Sequence, residues 1–343
     1  MKPLVSIIIP AYNAENYLPY TLQSAIAQTW PRKEIIIIND GSTDRTLEVA
    51  KRLATKEVRV VSTANQGLSA AVNHGLSLCQ GDYVQELDAD DILAPDKIQR
   101  QLETLRESDS KRTLLSSPWA HFYYRTRIAR FIPNSLWQDL SPVEWLLRKM
   151  GDNLHMQNAT WLVSRELMEA AGPWDANLRY DQDGEYFCRV LLASEGTRFV
   201  REARIFYRVS GSHSISHIGD ADRDKRISYL VSIKLHIKYL RSLEDSERVR
   251  KTCVTFLQNK LRFFYGREPE MVNELQTMAA QLGGQLEIPQ LRPKYAWMRP
   301  VIGYKNARYA QEYLPQVKAT VLRHWDGTMF SLEKSLTRHP YQT

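Results

Sequence analysis

The sequence predicts an α/β fold: a largely parallel sheet flanked by helices, followed by a mainly helical C-terminal region. Three observations carry this. Residues 5–9, 34–38, 58–61 and 83–87 are short runs of β-branched and apolar residues, the pattern of strands buried on both faces. Between them, segments 16–29, 43–54 and 68–79 place apolar residues at helical spacing (Leu18, Leu22, Ile26; Leu47, Ala50, Leu53; Ala71, Leu76). Beyond about residue 220 the strand-like runs stop.

Strand–helix–strand repetition at this pitch implies βαβ units with right-handed crossovers. Functional residues in such sheets lie at the carboxyl ends of the strands. Those ends read Pro10-Ala11-Tyr12-Asn13, Asn39-Asp40-Gly41-Ser42 and Asp88-Ala89-Asp90-Asp91. After Asp91 the pattern loosens: a helix over 95–107, a hairpin over 119–132, a strand over 159–163 and a helix from Ser164. A turn at Gly172-Pro173-Trp174-Asp175, a helix over 183–193 and a strand over 204–209 follow. Segments 222–240, 246–264 and 270–282 read as helices, which places a boundary near 218.

Composition narrows the classes. Apolar residues make 43% and charged residues 25% of the 343, ordinary globular values. A spanning helix needs about 20 apolar residues, and no such stretch occurs; the apolar N-terminal run is too short for the core of a secretory signal. Cys79, Cys188 and Cys253 are far apart, with no C-x-x-C, so they read as reduced thiols of a cytoplasmic protein rather than a disulfide or zinc framework. The net charge of +7 is uneven, because residues 221–343 hold 21 Lys and Arg against 12 Asp and Glu. The basic residues are scattered and lack an RNA-binding aromatic run, which disfavours nucleic acid as the partner.

At Asp88-Ala89-Asp90-Asp91, extended backbone points Asp88 and Asp90 to one side. Two carboxylates that close are unfavourable without a cation or donors between them, and Mg²⁺ or Mn²⁺ suits such an oxygen site beside substrate phosphates. One of the three aspartates capping the next helix is the alternative. The first strand end lacks the G-x-G-x-x-G of a dinucleotide site. Tyr12 can instead stack on a base, and Asp40 can accept from an imide N–H such as that of uracil.

Four segments occur in order: Val5-Ser-Ile-Ile-Ile-Pro-Ala-Tyr-Asn13, Ile38-Asn-Asp-Gly-Ser-Thr-Asp44, Asn65-Gln-Gly-Leu-Ser-Ala-Ala-Val-Asn73 and Leu87-Asp-Ala-Asp-Asp91. Together they resemble the family 2 glycosyltransferases, mostly inverting enzymes of GT-A fold. The likeness is dense over 3–95, continues in outline to about 216 and is absent beyond. It implies a catalytic domain over 1–218, with a nucleotide-binding half (1–95) and an acceptor half (96–218), then a helical, basic region over 219–343. It also implies transfer of a hexosyl or N-acetylhexosaminyl group from a nucleoside-diphosphate sugar, a UDP-sugar by the reading of Asp40, to a saccharide or lipid-linked acceptor. Pro10, Ala11, Tyr12 and Asp40 would line the nucleotide pocket, with Gly67 letting the next helix start close to the donor. Asp88, with Ala89 beside it, would hold the ribose or sugar side, and Asp90 would bind Mn²⁺ or Mg²⁺. Val72 departs from the family, where a basic residue is common.

The family places its base in a Glu-Asp pair after a Gly-Gly-Phe-Asp turn. Here Gly172-Pro-Trp-Asp175 precedes Tyr180-Asp-Gln-Asp-Gly-Glu-Tyr-Phe-Cys-Arg189, so Asp183 matches the base, Gln182 replaces the Glu, and Asp181 is the rival. Tyr207-Arg208-Val-Ser-Gly-Ser212-His213-Ser214 resembles the closing loop, with Arg208 and Ser212 as phosphate contacts and His213 as a further metal ligand. A catalytically silent nucleotide binder and an NAD-dependent oxidoreductase are the rival classes. The basic, aromatic stretch 288–343 suits either peripheral contact with the inner face of a membrane or packing on the catalytic domain.

Overall fold

The computed structural model of the protein describes residues 2–106, 109–210, 218 and 222–336. The N-terminal half opens with β1 (Val5–Ala11), α1 (Leu18–Ile26), β2 (Lys33–Asp40), α2 (Thr46–Leu53), β3 (Val58–Thr63), α3 (Leu68–Leu78) and β4 (Tyr83–Glu86). It continues through β5 (Ile92–Leu93), α4 (Lys97–Glu103), β6 (Thr113–Ser116), β7 (Trp119–Phe122), α5 (Pro142–Gly151), β8 (Val163–Ser164), α6 (Arg165–Ala171), α7 (Gln182–Ala193), β9 (Gly196–Phe199) and β10 (Ile205–Arg208). Helices α8 (Arg223–Leu243), α9 (Glu247–Leu261), α10 (Pro269–Gln281), α11 (Pro293–Ala296) and α12 (Arg299–Leu336) complete the described chain.

The main sheet runs β3-β2-β1-β4-β8, parallel except for β8. Every residue of β1 is buried, and Ile7 and Ile9 face Ile35 and Ile37 in parallel register. This is the two-sided burial expected of strands covered by helices on both faces. A smaller sheet, β5-β10-β7, stands beside the carboxyl end of β4. One apolar cluster joins Val72, Trp145, Trp161 and Phe187 to Tyr229, Ile233, Phe256, Leu257 and Leu275, so α8–α10 share a core with α5–α7.

Two elements differ from the sequence expectation. The stretch 119–132 is not a hairpin. Only Trp119–Phe122 is a strand, and it pairs in parallel with β10, before a 3₁₀ turn at Thr126–Ile128. The amides of Tyr124 and Arg125, which a returning strand would have used, donate instead to Asp326 of α12. Segment 159–163 gives a 3₁₀ turn at Asn158–Thr160 and the two-residue β8. There the Gln157 side chain accepts from the Ala159 amide at 2.6 Å, and the Thr160 hydroxyl donates to the Gln157 carbonyl at 2.6 Å. Such local side-chain bonds compete with a ladder and win here.

Candidate active site

The ends of β1 and β2 are stitched together. The Asn13 amide donates to Ser42 Oγ at 3.0 Å, and the Thr43 amide donates to Asn13 Oδ1 at 2.8 Å. Pro10 and Ala11 are buried within β1, whereas Tyr12 just beyond it is 51% exposed at the rim. Asp40 is buried and accepts the amides of Gln66 and Gly67 at 2.9 Å each, which fixes the start of α3. Gly67 has φ of 89°, a conformation a side chain would strain. Asp40 therefore anchors the turn into α3, and its oxygens keep further lone pairs that a ligand donor could use.

Beyond β4 lies an acidic rim. Asp88 and Asp90 are partly exposed, and Asp91 is fully buried. Asp91 accepts from Gln157 Nε2 at 2.6 Å and from the Arg208 amide at 2.8 Å, so it joins β10 to the rim rather than facing solvent. Asn158 Nδ2 donates to Asp88 Oδ1 at 3.2 Å and to Glu86 Oε1 at 3.3 Å. Burial, and then the Asp90 charge, push Asp88 up to about 7. Asp90 is also raised by burial, against a hydrogen bond from Ser210 and the charge of Arg208.

Among the described residues, no set of three His, Cys, Asp or Glu side chains is gathered to hold a metal. The rim nevertheless fits a divalent cation as two carboxylates whose mutual repulsion a cation would relieve, with substrate phosphates and water completing the shell. Asp88 and Asp90 are the side chains that could hold it.

Arg208 is buried. Its Nε donates to the Asp90 carbonyl at 2.7 Å and its Nη1 to the Tyr123 carbonyl at 2.5 Å. The guanidinium stacks between the rings of Phe122 at 4.3 Å and Tyr17 at 4.8 Å. It thus braces the rim to β7. Ser212 and His213 lie outside the described residues.

The segment before α7 separates the two rivals for the base. Asp181 caps α7 with left-handed φ/ψ of 59° and 31°, and its Oδ2 accepts from Ser232 Oγ at 2.6 Å. A Cβ on Gly184 would stand 2.2 Å from Asp181 Oδ1, so glycine is what lets that carboxylate fold back. Burial raises Asp181, but His236, Lys149, the Ser232 hydroxyl and Lys260 outweigh it and hold it below the ordinary carboxylate range. Asp183, by contrast, is raised by burial and by Asp181, opposed by His155, the Gly184 amide and Lys149. Glu185 is buried and committed to Arg189, with oxygens 2.8 Å from Nε and Nη2, and accepts from Tyr239 Oη at 2.7 Å. Asp183 is the carboxylate of this segment whose charge also raises Asp88 and Glu86.

His236 anchors this network. Its Nδ1 lies 2.7 Å from the Ser232 carbonyl and so carries the proton, leaving Nε2 to accept from the Lys149 ammonium at 2.9 Å. Burial and Lys149 push it down to about 4. The unfolded chain, with His near 6.5, then binds the extra proton first, so stability falls as pH drops from about 6.5 towards 4. Denaturant melts at about pH 7 and pH 4.5 should show His236→Gln losing on the order of 2–3 kcal/mol less than wild type between the two. An equal loss in both would remove His236 from the acid response.

A ledge of rings borders Asp183. Trp119 meets His121 at 4.9 Å, His155 at 5.8 Å and Tyr207 at 6.0 Å, and His121 and His155 are exposed. Glu86, Gln157 and Asn158 are the rim residues that motif reading missed, since their partners lie 66 to 72 positions away in the chain. Glu86 is the last residue of β4, two positions before Asp88.

Residues 6–161 match the family described as Glycosyl transferase family 2. An uncharacterized glycosyltransferase of Rickettsia felis is 42% identical over 303 residues, 85% of this chain and 48% of that protein. The chain spans about half to three fifths of the length of the curated bacterial relatives it matches over long stretches. Staphylococcus aureus TarS 1–349 in complex with UDP-GlcNAc superposes with TM-score 0.64 at 17% identity, covering 91% of this chain and 92% of that one. The mannosyltransferase PcManGT of Pyrobaculum calidifontis, in complex with GDP-Man and Mn²⁺, gives TM-score 0.54 at 18% identity, covering 95% and 88%. The parallel sheet with its acidic rim beyond β4 is thus a GT-A fold, and its residues 6–161 are similar to glycosyl transferase family 2.

Proposed function

We propose that the protein is a metal-dependent inverting glycosyltransferase that moves a sugar from a nucleoside-diphosphate donor, a UDP-sugar, to a hydroxyl of a saccharide or lipid-linked acceptor. The observation that carries this reading is the placement of Asp183, raised and not paired with a cationic side chain at contact distance among the described residues, beside the Asp88–Asp90 rim. The base would stack near Tyr12 and be read by Asp40. The acceptor hydroxyl would give its proton to Asp183 as its oxygen bonds the anomeric carbon from one face. The bond from that carbon to the diphosphate oxygen breaks on the other, so the configuration inverts. A divalent cation on Asp90, with Asp88 beside it, would offset the charge growing on the leaving diphosphate. The ring ledge of Trp119, His121, His155 and Tyr207 gives an apolar face on which a pyranose acceptor could lie. TarS bound to UDP-GlcNAc and PcManGT bound to GDP-Man and Mn²⁺ support a nucleotide-sugar donor and a metal. The test is a panel of UDP- and GDP-sugars with Mn²⁺, scored for release of the nucleoside diphosphate with and without saccharide acceptors. Release from none of them would reject the reading in favour of a silent nucleotide binder.

The proposal extends to residues 288–343, which hold nine basic and three acidic residues. No described helix is long and apolar enough to cross a membrane. On α12, however, Tyr309, Tyr313, Val317, Val321 and Trp325 recur every fourth residue and are exposed. An apolar stripe with basic neighbours suits the surface of an anionic leaflet at the cytoplasmic face, where each Lys or Arg adds up to ~1 kcal/mol. It would bring the enzyme to lipid-linked acceptors in surface-polysaccharide or glycolipid assembly. The chain should sediment with phosphatidylglycerol vesicles at low salt and leave them as salt rises. Absence from those vesicles at low salt would reject membrane contact.

A further inference from the structure

We infer that the last turns of α12 belong to the donor site, with Asp326 and Arg323 as positioning residues for the backbone that carries Arg208 and Ser210. The inference rests on the glycosyltransferase reading for what that backbone does, but its structural part can be tested alone. Asp326 is 2% exposed, and its carboxylate is taken up by residues about 200 positions earlier. Oδ2 accepts the amides of Tyr124 at 2.9 Å and Arg125 at 3.2 Å, and Oδ1 accepts from Arg125 Nε at 2.6 Å. Glu333 adds bonds from Arg125 Nη1 at 2.9 Å and from Arg127. Phe330 stacks on Tyr124 at 6.0 Å and meets Tyr20 edge-on at 6.1 Å. Three residues before Asp326, Arg323 Nη1 donates to the Ser210 carbonyl at 2.6 Å.

Both ends of this dock lead to Asp90. The Tyr123 carbonyl, next to the clamped amides, accepts from Arg208, and Arg208 Nε holds the Asp90 carbonyl. Ser210, whose carbonyl Arg323 holds, follows Arg208 by two residues and acts on the Asp90 carboxyl, lowering it. Tyr124 helps to raise the Tyr17 hydroxyl, and the Tyr17 ring lies 4.8 Å from the Arg208 guanidinium. A helix needed only to cover apolar surface would spread its contacts. Here two side chains fix main-chain atoms on either side of the acidic rim, replacing the ladder that the β7 chain abandons at Phe122. A buried carboxylate clamped on two amides and a guanidinium holds its partners in one geometry, since each partner is left unsatisfied if it moves.

Arg323→Ala removes one bond from a half-exposed side chain. It should leave the melting temperature unchanged while weakening UDP binding and raising the donor KM about tenfold, with kcat within about twofold. Arg323→Lys should recover most of that loss. In Asp326→Ala, the amides of Tyr124, Arg125, Arg208 and Val209 should exchange with deuterium faster together, while those of β1 and β2 keep their protection. If Asp326→Ala does not fold, the Arg323 pair decides alone. If wild type neither binds UDP nor turns over, the glycosyltransferase reading falls and the exchange pattern still decides the positioning. UDP affinity and donor KM of Arg323→Ala within about twofold of wild type would overturn the inference. So would unchanged exchange at 208–209 in a folded Asp326→Ala.

Discussion

Asp183→Asn should lower transfer by ~10²–10⁴-fold, the range a positioned general base contributes, while UDP affinity stays within about twofold of wild type. The two halves of that result have separate causes. Asn keeps the shape and the acceptor oxygen of the side chain, so the start of α7 is preserved. It cannot take the acceptor proton, and it barely touches the donor. Folding should be unharmed or slightly improved, because the substitution removes a charge that repels Asp181 and raises Asp88 and Glu86. The pH profile adds an independent check. Burial, and then Asp181, raise Asp183, and only its deprotonated form accepts a proton. The acid limb of kcat/KM should therefore lie above the ordinary carboxylate range, with the rate falling as pH drops through it. Retention of more than about a third of wild-type turnover would remove Asp183 from the role. The next variants would be Asp181 and Glu185, although the structure commits the first to Ser232 and the second to Arg189 and Tyr239.

The strand ends were legible because their signals are local. The aspartates follow directly on a buried strand, although Ala89 and Asp90 form a turn closed by the Asp91 amide on the Asp88 carbonyl at 3.1 Å, not the extended backbone the spacing suggests. A run such as Val5–Ala11 has no polar face to offer solvent, which fixes β1 at the centre. Asp183 was singled out by a similarly local signal, the turn before it and Arg189 after it. Residues whose role depends on a distant partner were not. Arg208 reads as a free phosphate contact in sequence, and only the fold brings Phe122, Tyr17 and two carbonyls around its guanidinium. Phe122, Tyr123 and Tyr124 read as a hairpin by β-propensity, and tertiary context overrode it through a carboxylate about 200 residues away. Asp326 itself sits in a basic, aromatic helix with no local pattern to mark it as buried. In each case the missing information is a contact, which periodicity does not encode.

Chelation should abolish turnover and Mn²⁺ or Mg²⁺ should restore it, and Asp90→Ala should reproduce the chelated state with a loss of roughly a thousandfold or more. Asp88 and Asp90 repel each other, and burial leaves Asp88 half-protonated near pH 7, an arrangement that is unfavourable unless a cation comes between them. Such a rim binds a cation more weakly as acid protonates Asp88, so the Mn²⁺ needed for half-maximal rate should rise on going from about pH 8 to pH 6. Asp90→Ala keeps the main-chain carbonyl that Arg208 Nε grips, so the brace to β7 survives and the loss falls on the carboxylate. Calorimetry then separates binding from chemistry: the variant should still fold, and Mn²⁺ should no longer strengthen its binding of UDP. Full turnover in EDTA would contradict the two-carboxylate reading. The leaving diphosphate would then have to be stabilised by cationic side chains. Arg208, already bonded to the Asp90 and Tyr123 carbonyls between two aromatic rings, would have to leave that place to serve.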